Sequence, residues 1–369
     1  MRILALEPYF GGSHRAFLDG WRAHSRHEFK VLGLPARTWK WRMRHAAVTF
    51  AEQARELCQA GQRWDAVFCS DMLNLAEFRG LCPAAVAALP TVAYFHENQL
   101  TYPVRKGDER DFHFGYTNFT TCLAADEIWF NSDFHRNDFL NALSAALQRM
   151  PDYQEPEQVA RIDAKSKIQP PGIEAFSART PRQPGPLRIL WAARWEHDKN
   201  PTDFFLALDA LRASGIDFRV SVIGEQFREV PAVFAEYEKI LAGCIDRWGF
   251  QSSREEYRAA LLEADIFVST ANHEFFGIAA AEAIAAGCLP LLPNRLAYPE
   301  LLAALENCQA YLYDGSVCDL VEHLTRCNHL MQRGFATAEA IEPLRRSMDH
   351  LHWKRRATEM DAAMESVRT

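Results

Sequence analysis

The chain has 369 residues, of which 48% are hydrophobic and 24% are charged, a balance typical of a globular protein. This length is enough for two domains, each able to bury a core of its own. The formal net charge of −7 excludes a generally basic nucleic-acid-binding coat, although it permits a local basic patch. The nine cysteines include no Cys-x-x-Cys pair, which indicates free thiols in a reducing compartment rather than a disulfide framework or a zinc site.

The beginning of the chain and its apolar runs argue against export and membrane insertion. The segment Met1–Leu6 is too short for the hydrophobic region of a signal peptide, and Glu7 and Pro8 follow it directly. No run approaches the roughly 18 apolar residues that a membrane-spanning helix needs. We therefore expect a cytoplasmic protein without a membrane partner.

The first half of the chain alternates strand-like runs with helical patterns. The predicted strands are Arg2–Leu6, Phe29–Leu34, Ala66–Ser70, Thr91–Phe95 and Ile128–Asn131. The predicted helices are Ala16–His24, Val48–Ala60, Leu75–Leu89, Phe112–Ala124 and Phe134–Leu147. Such βαβ repetition predicts a parallel, doubly wound sheet of the α/β class.

A second alternation follows the segment Pro151–Gly172, whose proline and charged residues suggest a crossing between domains. Its predicted elements are Arg188–Ala193, Pro201–Ala213, Phe218–Ile223, Val233–Leu241, Glu255–Glu263, Ile266–Thr270, Ala279–Ala286, Leu289–Leu292 and Val317–Gln332. The last stretch, Leu344–Arg368, is amphipathic and has no accompanying strand. These patterns predict domains at 1–172 and 173–343 and a terminal helical segment at 344–369.

The most informative stretch lies where the run Ile266–Thr270 leaves the predicted core and a helix begins. Gly277 opens an alanine-rich helix that Gly287 stops. The free N–H groups and the dipole at such a helix N-terminus form an anion site, and a glycine lets a phosphate or sugar come close. Glu274 stands at the mouth of the helix and Glu282 about a turn and a half inside it, a spacing suited to the hydroxyl pairs of a sugar and a ribose. The alternative is a core helix whose two acids are simply solvated.

A second polar loop follows the predicted strand Arg188–Ala193. Arg194 and Lys199 project from it, and Asn200-Pro201 has the signature of a helix start. In open α/β sheets, ligands bind at the carboxyl ends of the strands. Two fixed cations there can neutralise a diphosphate leaving group without a metal.

Other nucleotide-binding motifs are missing from the sequence. It contains no Gly-x-Gly-x-x-Gly dinucleotide-binding motif after the first strand and no Gly-x4-Gly-Lys-Ser/Thr phosphate-binding loop. It also contains no Asp-x-Asp, a motif that holds a divalent metal ion. Only Gly11-Gly12-Ser13-His14 follows the first strand. Either its backbone N–H groups face a pyrophosphate, or the glycines form a simple tight turn.

Two further polar segments lie in the first half. His96, Glu97 and Asn98 follow the strand Thr91–Phe95, where a lone histidine is usually structural. The segment Arg37–His45 alternates aromatic residues with cations, which favours a nucleic-acid contact by stacking and phosphate pairing. The equally weighted alternative is an edge segment with its two tryptophans packed inward. A second basic loop contains Arg105 and Lys106.

The order Arg194-x4-Lys199 and then Glu274-x7-Glu282 resembles the retaining GT-B glycosyltransferases of family 4, which use nucleotide-sugars. The resemblance implies two Rossmann-like domains facing across a cleft, with a C-terminal helix crossing back to the first domain. It implies that Arg194 and Lys199 hold the donor diphosphate, Glu274 the donor sugar and Glu282 the ribose. It also assigns His96 to the transferred sugar.

Four longer motifs are similar to a narrower family, the tRNA-queuosine α-mannosyltransferases, also described as glycosyltransferase-like domain-containing proteins. The motifs are Glu7-x2-Phe10-Gly11-Gly12-Ser13-His14, Trp39-x-Trp41-Arg42, Phe95–Pro103 and Arg194–Lys199. This resemblance implies transfer of mannose from GDP-mannose to the cyclopentene-diol of queuosine in a tRNA anticodon. The partners implied are queuosine-containing tRNA and the nucleotide-sugar, and no cofactor or metal is expected.

The resemblance then assigns the remaining site residues. The expected donor-binding residues besides Glu282 are Gly11, Gly12, Ser13, Gly224, Gly249, Phe250, Phe275, Phe276, Gly277 and Ile278. Gly224, which ends a strand, and Trp248-Gly249-Phe250, interpreted as part of a loop in the second domain, are expected to frame the purine of the donor. The expected acceptor-binding residues are His14, Trp39, Lys40, Trp41, Arg42, Arg44, Glu97, Asn98, Arg105 and Lys106. Ser132 is interpreted as structural first and as a neighbour of the acceptor second.

Two other functions compete with this hypothesis. One is a family 4 enzyme with another nucleotide-sugar and a lipid or small-glycan acceptor, which predicts a basic amphipathic helix in the first domain. The Trp39–Arg44 segment is too short and too aromatic for that. The other is a catalytically silent binding protein, which would be expected to lose one of the two cations or two glutamates of the motifs, and none is lost.

Overall fold

The computed structural model describes residues 1–104, 109–177, 185–227, 229–333 and 338–367. The chain divides into two compact units, unit 1 with Met1–Gly172 and Trp353–Thr369, and unit 2 with Ile173–His352. The change of unit near the end of the chain lies at Trp353, whereas the sequence predicted a terminal segment beginning at 344.

The described strands of unit 1 form one parallel sheet with the order β2-β1-β3-β4-β5-β6. These strands are β1 (Arg2–Phe10), β2 (Glu28–Pro35), β3 (Ala66–Ser70), β4 (Thr91–Phe95), β5 (Glu127–Phe130) and β6 (Ser166–Ile168). The strand order reverses between β1 and β3. Ligands bind at the carboxyl ends of the strands at such a switch point.

Helices cover both faces of this sheet. They are α1 (Gly12–His24), α2 (Trp39–Gln59), α3 (Leu75–Leu81), α4 (Ala84–Ala87), α5 (Phe112–Ala124), α6 (Asp133–Leu147) and α7 (Pro156–Ala164). Successive side chains of β1 point to opposite faces of the sheet. Leu4 and Leu6 pack into one apolar cluster, and Ile3 and Ala5 pack into another. The sheet is therefore buried on both sides, as parallel sheets require.

Unit 2 repeats this architecture with the strand order β12-β11-β10-β7-β8-β9. The strands are β7 (Leu187–Ala192), β8 (Phe218–Ile223), β9 (Ile245–Gly249), β10 (Ile266–Val268), β11 (Leu289–Pro293) and β12 (Leu312–Tyr313). The helices are α8 (Pro201–Ala213), α9 (Ala232–Ile240), α10 (Arg254–Glu263), α11 (Ile278–Ala286), α12 (Tyr298–Leu301), α13 (Val317–Gln332) and α14 (Ala338–Arg346). Its switch point lies between β7 and β10.

The last helix, α15 (Trp353–Ser366), packs on unit 1, as the family resemblance implied. Buried Asp361 accepts a hydrogen bond of 2.8 Å from Nε1 of Trp21 and one of 2.6 Å from the hydroxyl of Ser25. Arg356 donates to the carbonyl of Pro170 at 2.9 Å. These bonds connect α15 both to α1 and to the end of the N-terminal segment of unit 1.

The α/β class is confirmed, and several predicted elements were wrong in detail. The segment 151–172 contains α7 and the edge strand β6 rather than only a connection, and the short strands β9 and β12 were not predicted. The predicted helix Leu75–Leu89 is two helices, because Pro83 cannot continue α3. The predicted helix Leu344–Arg368 is divided by a 3₁₀ turn at Asp349–Leu351.

Two expectations about composition can be compared with the structure. All nine cysteines are free, with four buried, four half-buried and Cys318 exposed. In the described ranges, no helix is both long and apolar enough to cross a membrane.

Candidate active site

The cationic loop of unit 2 connects β7 to α8 at the switch point. A 3₁₀ turn, His197–Lys199, turns the Lys199 side chain inward, and Asn200 adopts a left-handed φ of 50° before α8 begins at Pro201. Lys199 is only 6% exposed. The hydroxyl of Thr270 donates to the Lys199 carbonyl at 2.9 Å, so the loop after β10 holds the loop after β7 in place.

Lys199 and Glu274 form the centre of this site. Nζ of Lys199 donates to the carbonyl of His273 at 2.6 Å and lies 3.3 Å from Oε2 of Glu274 and 3.2 Å from Oδ2 of Asp198. Oε1 of Glu274 accepts the backbone N–H of Phe275 at 3.1 Å. Burial alone would raise the pKa of Glu274, but the neighbouring cations Lys199 and Arg194 lower it below its ordinary value. Glu274 is therefore a carboxylate that is held in place and ionised.

Arg194 differs from Lys199 in its accessibility. Its side chain is 37% exposed and forms an ion pair of 3.2 Å with Glu196. A guanidinium at the rim of the site, with several N–H donors, suits the oxygens of a diphosphate. The two cations that the sequence paired thus have different surroundings, one buried between carboxylates and one open to solvent.

Helix α11 begins directly after Gly277, where the sequence predicted an anion site. Gly277 caps the helix with a φ of 90°, and a Cβ at this position would lie 3.0 Å from the ring of Tyr298, so a larger residue would be strained. Phe275 and Phe276 are buried, whereas Ile278 is half-buried. The backbone N–H groups at this end of the nine-residue helix are oriented to bind an anion.

Glu282 is held by a residue that the sequence did not reveal. The hydroxyl of Tyr257, on α10, donates to Oε2 of Glu282 at 2.7 Å. Burial raises the pKa of Glu282, and the hydrogen bond from Tyr257 offsets part of that effect. No local pattern could have found Tyr257, because the contact joins two helices that are distant in the sequence.

The predicted base-binding residues lie at the ends of β8 and β9. Gly224 has a φ of 157°, and a Cβ there would lie 1.7 Å from the carbonyl oxygen of Ala193. Its N–H donates to the carbonyl of Gly249 at 3.2 Å. Phe250 follows with 67% of its surface exposed. Trp248 and Gly249 belong to β9, which corrects the sequence-based assignment of these residues to a loop.

At the switch point of unit 1, a buried ion pair connects the end of β1 to α1. Nδ1 of His14 lies 3.2 Å from Oε2 of Glu7. Oε1 of Glu7 accepts the hydroxyl of Ser70 at 2.9 Å, and Glu7 is fully buried. Burial would lower the pKa of His14, but the Glu7 carboxylate outweighs it and raises this pKa to about 9. His14, predicted to bind the acceptor, is therefore a protonated residue at neutral pH.

His96 lies directly against this pair. The ring centroids of His14 and His96 are 4.0 Å apart. Burial, and then the charge of His14, lower the pKa of His96 well below its ordinary value, so its imidazole is neutral. Oδ1 of Asp71, the residue after β3, accepts the backbone N–H of His96 at 3.0 Å. Burial is the main reason why the pKa of Asp71 is raised well above its ordinary value.

The neighbours of His96 in the sequence mainly shape the loop. Asn98 is fully buried, and its Oδ1 accepts the backbone N–H groups of Leu100 and Thr101 at 3.0 Å each. Oε1 of Glu97 accepts a hydrogen bond from Nε2 of Gln99 at 3.1 Å. The structure thus gives Asn98 a turn-forming contact and leaves its predicted contact with the acceptor a prediction.

The glycine loop after β1 is a tight turn into α1. A Cβ on Gly11 would lie 2.4 Å from Cβ of Ala36, and Gly12 has a left-handed φ of 51°. Ser13 is exposed in the first turn of α1. Close packing at Gly11 and the left-handed φ of Gly12 are therefore sufficient reasons for the two glycines. Their contact with donor phosphates stays a prediction. Ser132 is 1% exposed and caps α6 by accepting the N–H of His135 at 3.0 Å.

The aromatic and basic segment is the first two turns of α2, not an alternating edge segment. The buried residues Arg42, Met43, Ala46 and Ala47 follow a helical period. Arg42 donates to the carbonyl of Pro35 at 3.0 Å, so it is structural, which does not suit its predicted contact with the acceptor. Trp39 is half-buried, with its ring centroid 5.0 Å from that of Phe114.

Lys40, Trp41 and Arg44 remain outside and are here called the α2 surface. Trp41 is 60% exposed and stacks on His45 at 4.9 Å between centroids. Lys40 and Arg44 are exposed as well. The inward-packed alternative is therefore wrong for Trp41. Arg105 and Lys106 lie outside the described residues.

Two family models match the chain and together cover most of it. One described as tRNA-queuosine alpha-mannosyltransferase N-terminal matches residues 2–173, and one described as Glycosyl transferases group 1 matches residues 172–329. Among solved structures, the sucrose-phosphate synthase of Thermosynechococcus elongatus has a TM-score of 0.73 at 13% sequence identity, covering 100% of this chain and 99% of that one. This likeness concerns the fold, and it confirms the GT-B class.

Two relatives are mannosyltransferases. A GDP-mannose:cellobiosyl-diphosphopolyprenol alpha-mannosyltransferase of Xanthomonas oryzae pv. oryzae is 25% identical over 189 residues, 49% of this chain and 47% of that protein. A tRNA-queuosine alpha-mannosyltransferase of Drosophila melanogaster is 37% identical over 311 residues, 81% of this chain and 81% of the fly protein. The resemblance seen in the sequence motifs is thereby confirmed, and the chain belongs to the tRNA-queuosine alpha-mannosyltransferase family.

Proposed function

We propose that this protein transfers mannose from GDP-mannose to a hydroxyl of the queuosine cyclopentene-diol in a tRNA anticodon loop. The observation that carries the proposal is the 37% identity to the Drosophila tRNA-queuosine alpha-mannosyltransferase over 81% of both chains. The donor is supported by the Xanthomonas relative, whose name includes GDP-mannose. A tRNA acceptor fits a cytoplasmic enzyme, the location that we propose.

The site of unit 2 supports the departure of a diphosphate. As the bond between the anomeric carbon and the phosphate oxygen breaks, negative charge develops on the leaving GDP. Arg194, Lys199 and the N-terminus of α11 face that charge, and fixed groups of this kind contribute about 3 kcal/mol each to transition-state stabilisation. Glu274 accepts hydrogen bonds from hydroxyls of the mannose, and Glu282 accepts those of the ribose.

The acceptor hydroxyl approaches the anomeric carbon on the same face of the sugar from which GDP departs. It forms the new bond to the anomeric carbon as GDP departs, and its proton passes to the leaving phosphate, so that the anomeric configuration is retained. His96 orients the sugar through its neutral imidazole. Because Arg194 and Lys199 supply the positive charge at the diphosphate, we propose that transfer requires no metal ion.

The α2 surface supports binding of a nucleic-acid acceptor. The exposed ring of Trp41 offers a face for an unstacked base, and Lys40 and Arg44 offer charges for phosphates. These residues lie on unit 1, which also contains His14 and His96. Their cationic character stands out in a chain with a net charge of −7.

The test is mass spectrometry of nucleosides from queuosine-containing tRNA after incubation with the protein, GDP-mannose and EDTA. We expect one hexose on queuosine, and transfer that is about a hundredfold slower with Arg194→Ala. The control Arg212→Ala removes an exposed arginine of α8 and should leave transfer intact.

The outcomes separate the parts of the proposal. A hexose that appears only without EDTA would contradict metal independence. Binding of GDP-mannose without transfer to tRNA would refute the acceptor and point to a lipid or small glycan. Transfer from UDP-glucose but not from GDP-mannose would refute the donor.

A further inference from the structure

Four side chains converge at the switch point of unit 1, three of them buried and that of His96 half-buried. They are here called the unit 1 quartet: Glu7, His14, Asp71 and His96. They come from the end of β1, the first turn of α1, and the residues that follow β3 and β4. One ligand atom each of Glu7, His14 and His96 lies within 4.8 Å of the other two. Asp71 joins the group through its 3.0 Å bond to the N–H of His96.

Each member of the unit 1 quartet has one polar atom that the described protein atoms leave without a hydrogen bond. These atoms are Oε2 of Glu7, Nδ1 of His14, Oδ2 of Asp71 and Nε2 of His96, all of them buried. Nδ1 of His14 and Oε2 of Glu7 are close enough for an ion pair, but the pair does not complete a hydrogen bond. Buried polar groups of this kind cost free energy unless a partner satisfies them. The ion pair partly satisfies Glu7 and His14, whereas Oδ2 of Asp71 and Nε2 of His96 have no comparable partner among the described atoms. These two atoms, next to a charged pair at the switch point, indicate a ligand.

The chemistry of the four atoms decides which ligand fits. Oε2 of Glu7 accepts hydrogen bonds, the His14 imidazolium donates, and the Asp71 carboxyl group and the His96 imidazole do either, according to where their protons lie. An anion would be repelled by the Glu7 carboxylate, which already balances the charge of His14. A metal ion would compete with a proton for Nδ1 of His14, because Glu7 raises the pKa of that group to about 9. A hydroxyl group, which donates one hydrogen bond and accepts others, matches a mixed set of donors and acceptors.

We infer that the unit 1 quartet binds a pair of neighbouring hydroxyl groups of a substrate, with Glu7 and Asp71 as the hydrogen-bond partners of these groups. Neither acid was among the sequence-predicted site residues. Two sources can supply the hydroxyl pair, namely the diol of the acceptor and the mannose of the donor. The choice of these two ligands rests on the proposed function, whereas the inference of a hydroxyl site rests on the quartet itself.

The test compares ligands that differ only in the hydroxyl-bearing group. Dissociation constants are measured by calorimetry for queuosine nucleoside against the same nucleoside without its cyclopentene-diol, and for GDP-mannose against GDP. The variants Glu7→Gln and Asp71→Asn replace one acceptor oxygen by an amide donor at nearly constant shape. For at least one pair, we expect the variants to bind the hydroxyl-bearing ligand about tenfold or more weakly than the wild-type protein does. Their affinity for the matched ligand without the hydroxyl groups should be unchanged.

The pair that responds identifies the source of the hydroxyls. The control Asp19→Asn changes an exposed acid of α1 and should alter neither pair. Should Glu7→Gln fail to fold, as judged by thermal unfolding, Asp71→Asn carries the test alone.

Two results would overturn the inference. One is that the wild-type protein binds the two ligands of each pair with equal affinity, or that the variants lose the same affinity for the ligand with the hydroxyl groups as for the ligand without them. The other is a tightly bound divalent metal ion, measured by elemental analysis, that Glu7→Gln removes. Neither result depends on whether mannose reaches tRNA, which the transfer assay reports separately.

Discussion

Both sheets place polar residues where the strand order reverses, between β1 and β3 in unit 1 and between β7 and β10 in unit 2. In unit 1 that position holds two carboxyl groups and two histidines, of which Glu7 and Asp71 are fully buried. In unit 2 it holds Arg194, Lys199 and a helix N-terminus. We therefore propose that the same backbone topology serves hydroxyl groups in one unit and a diphosphate in the other, because the loops after the strands carry different side chains.

The two positions also differ in how their charges are balanced. Lys199 lies between Asp198 and Glu274, so its removal would leave two carboxylates facing a diphosphate. Arg194 is half-buried, and its loss would remove one cation and separate Glu196, a partly exposed carboxylate, from its ion-pair partner. In unit 1 the charge of His14 is balanced by Glu7. Substitutions and a pH series test these differences between the two units.

The largest effect is expected at Lys199. Lys199→Ala should lower kcat/KM of mannose transfer about a thousandfold, about 4 kcal/mol, because it removes a cation and exposes two carboxylates to the leaving group. Arg194→Ala should cost about tenfold less. The control Lys239→Ala, an exposed lysine of α9, should have no effect in the same steady-state assay. A larger loss for Arg194→Ala would contradict the roles given to the two cations.

The next effect is a pH dependence of stability in unit 1. The pKa of His14 rises from 6.5 to about 9 on folding, so its ion pair with Glu7 stabilises the protein fully below pH 6.5 and is lost as the pH rises through 9. The loss should amount to about 3 kcal/mol. Chemical denaturation at pH values from 6 to 10 should show it in the wild type and in the control His24→Gln, an exposed histidine of α1. An unchanged pH profile in His14→Gln would show that another group causes the decline.

A smaller effect is expected on the α2 surface. Trp41→Ala should raise KM for queuosine-containing tRNA about tenfold, since stacking on one base contributes about 1–3 kcal/mol. The affinity for GDP-mannose should stay the same. Tyr153→Ala provides the control, because Tyr153 is an aromatic residue of unit 1 that is 84% exposed. Equal effects of the two substitutions would remove the α2 surface from the acceptor site.

The smallest effect concerns the orientation of Glu282. Tyr257→Phe removes the 2.7 Å hydrogen bond to Oε2 of Glu282 and should raise KM for GDP-mannose about fivefold with kcat unchanged, a cost of about 1 kcal/mol. Tyr237→Phe removes a comparable bond to Asp209 elsewhere in unit 2 and should leave KM unchanged. If Tyr257→Phe lowers kcat instead, the tyrosine acts on the reaction and not on the ribose contact.

The sequence predicted the residues that have a local signal. Arg194, Lys199, Glu274 and Glu282 follow strands or begin helices at recognisable spacings, and the structure brings them to one switch point or to the helix beside it. Gly277 and Gly287 do adopt left-handed conformations at the two ends of α11. Strands β3 and β4 have the predicted bounds, because their apolar runs are buried on both faces.

What the sequence did not predict depends on contacts between distant segments. Glu7 meets Ser70 across 63 positions of the chain, and Tyr257 reaches Glu282 from another helix. The roles of Glu7 and Asp71 therefore have no signal in their own neighbourhood. Strands β6 and β12 have three and two residues, too few for a period-2 pattern. In α2, a helical period was concealed by an apparent alternation of tryptophans and cations.

The most direct test of this difference between the two units is the dissociation constant of GDP, measured for the wild-type protein, Lys199→Ala and Asp71→Asn. GDP has the diphosphate and lacks the transferred sugar, so we predict that Lys199→Ala weakens its binding about 30-fold or more and that Asp71→Asn changes it by less than about twofold. An equal loss of GDP affinity in both variants would contradict the assignment of the diphosphate to unit 2 and of hydroxyl groups to unit 1.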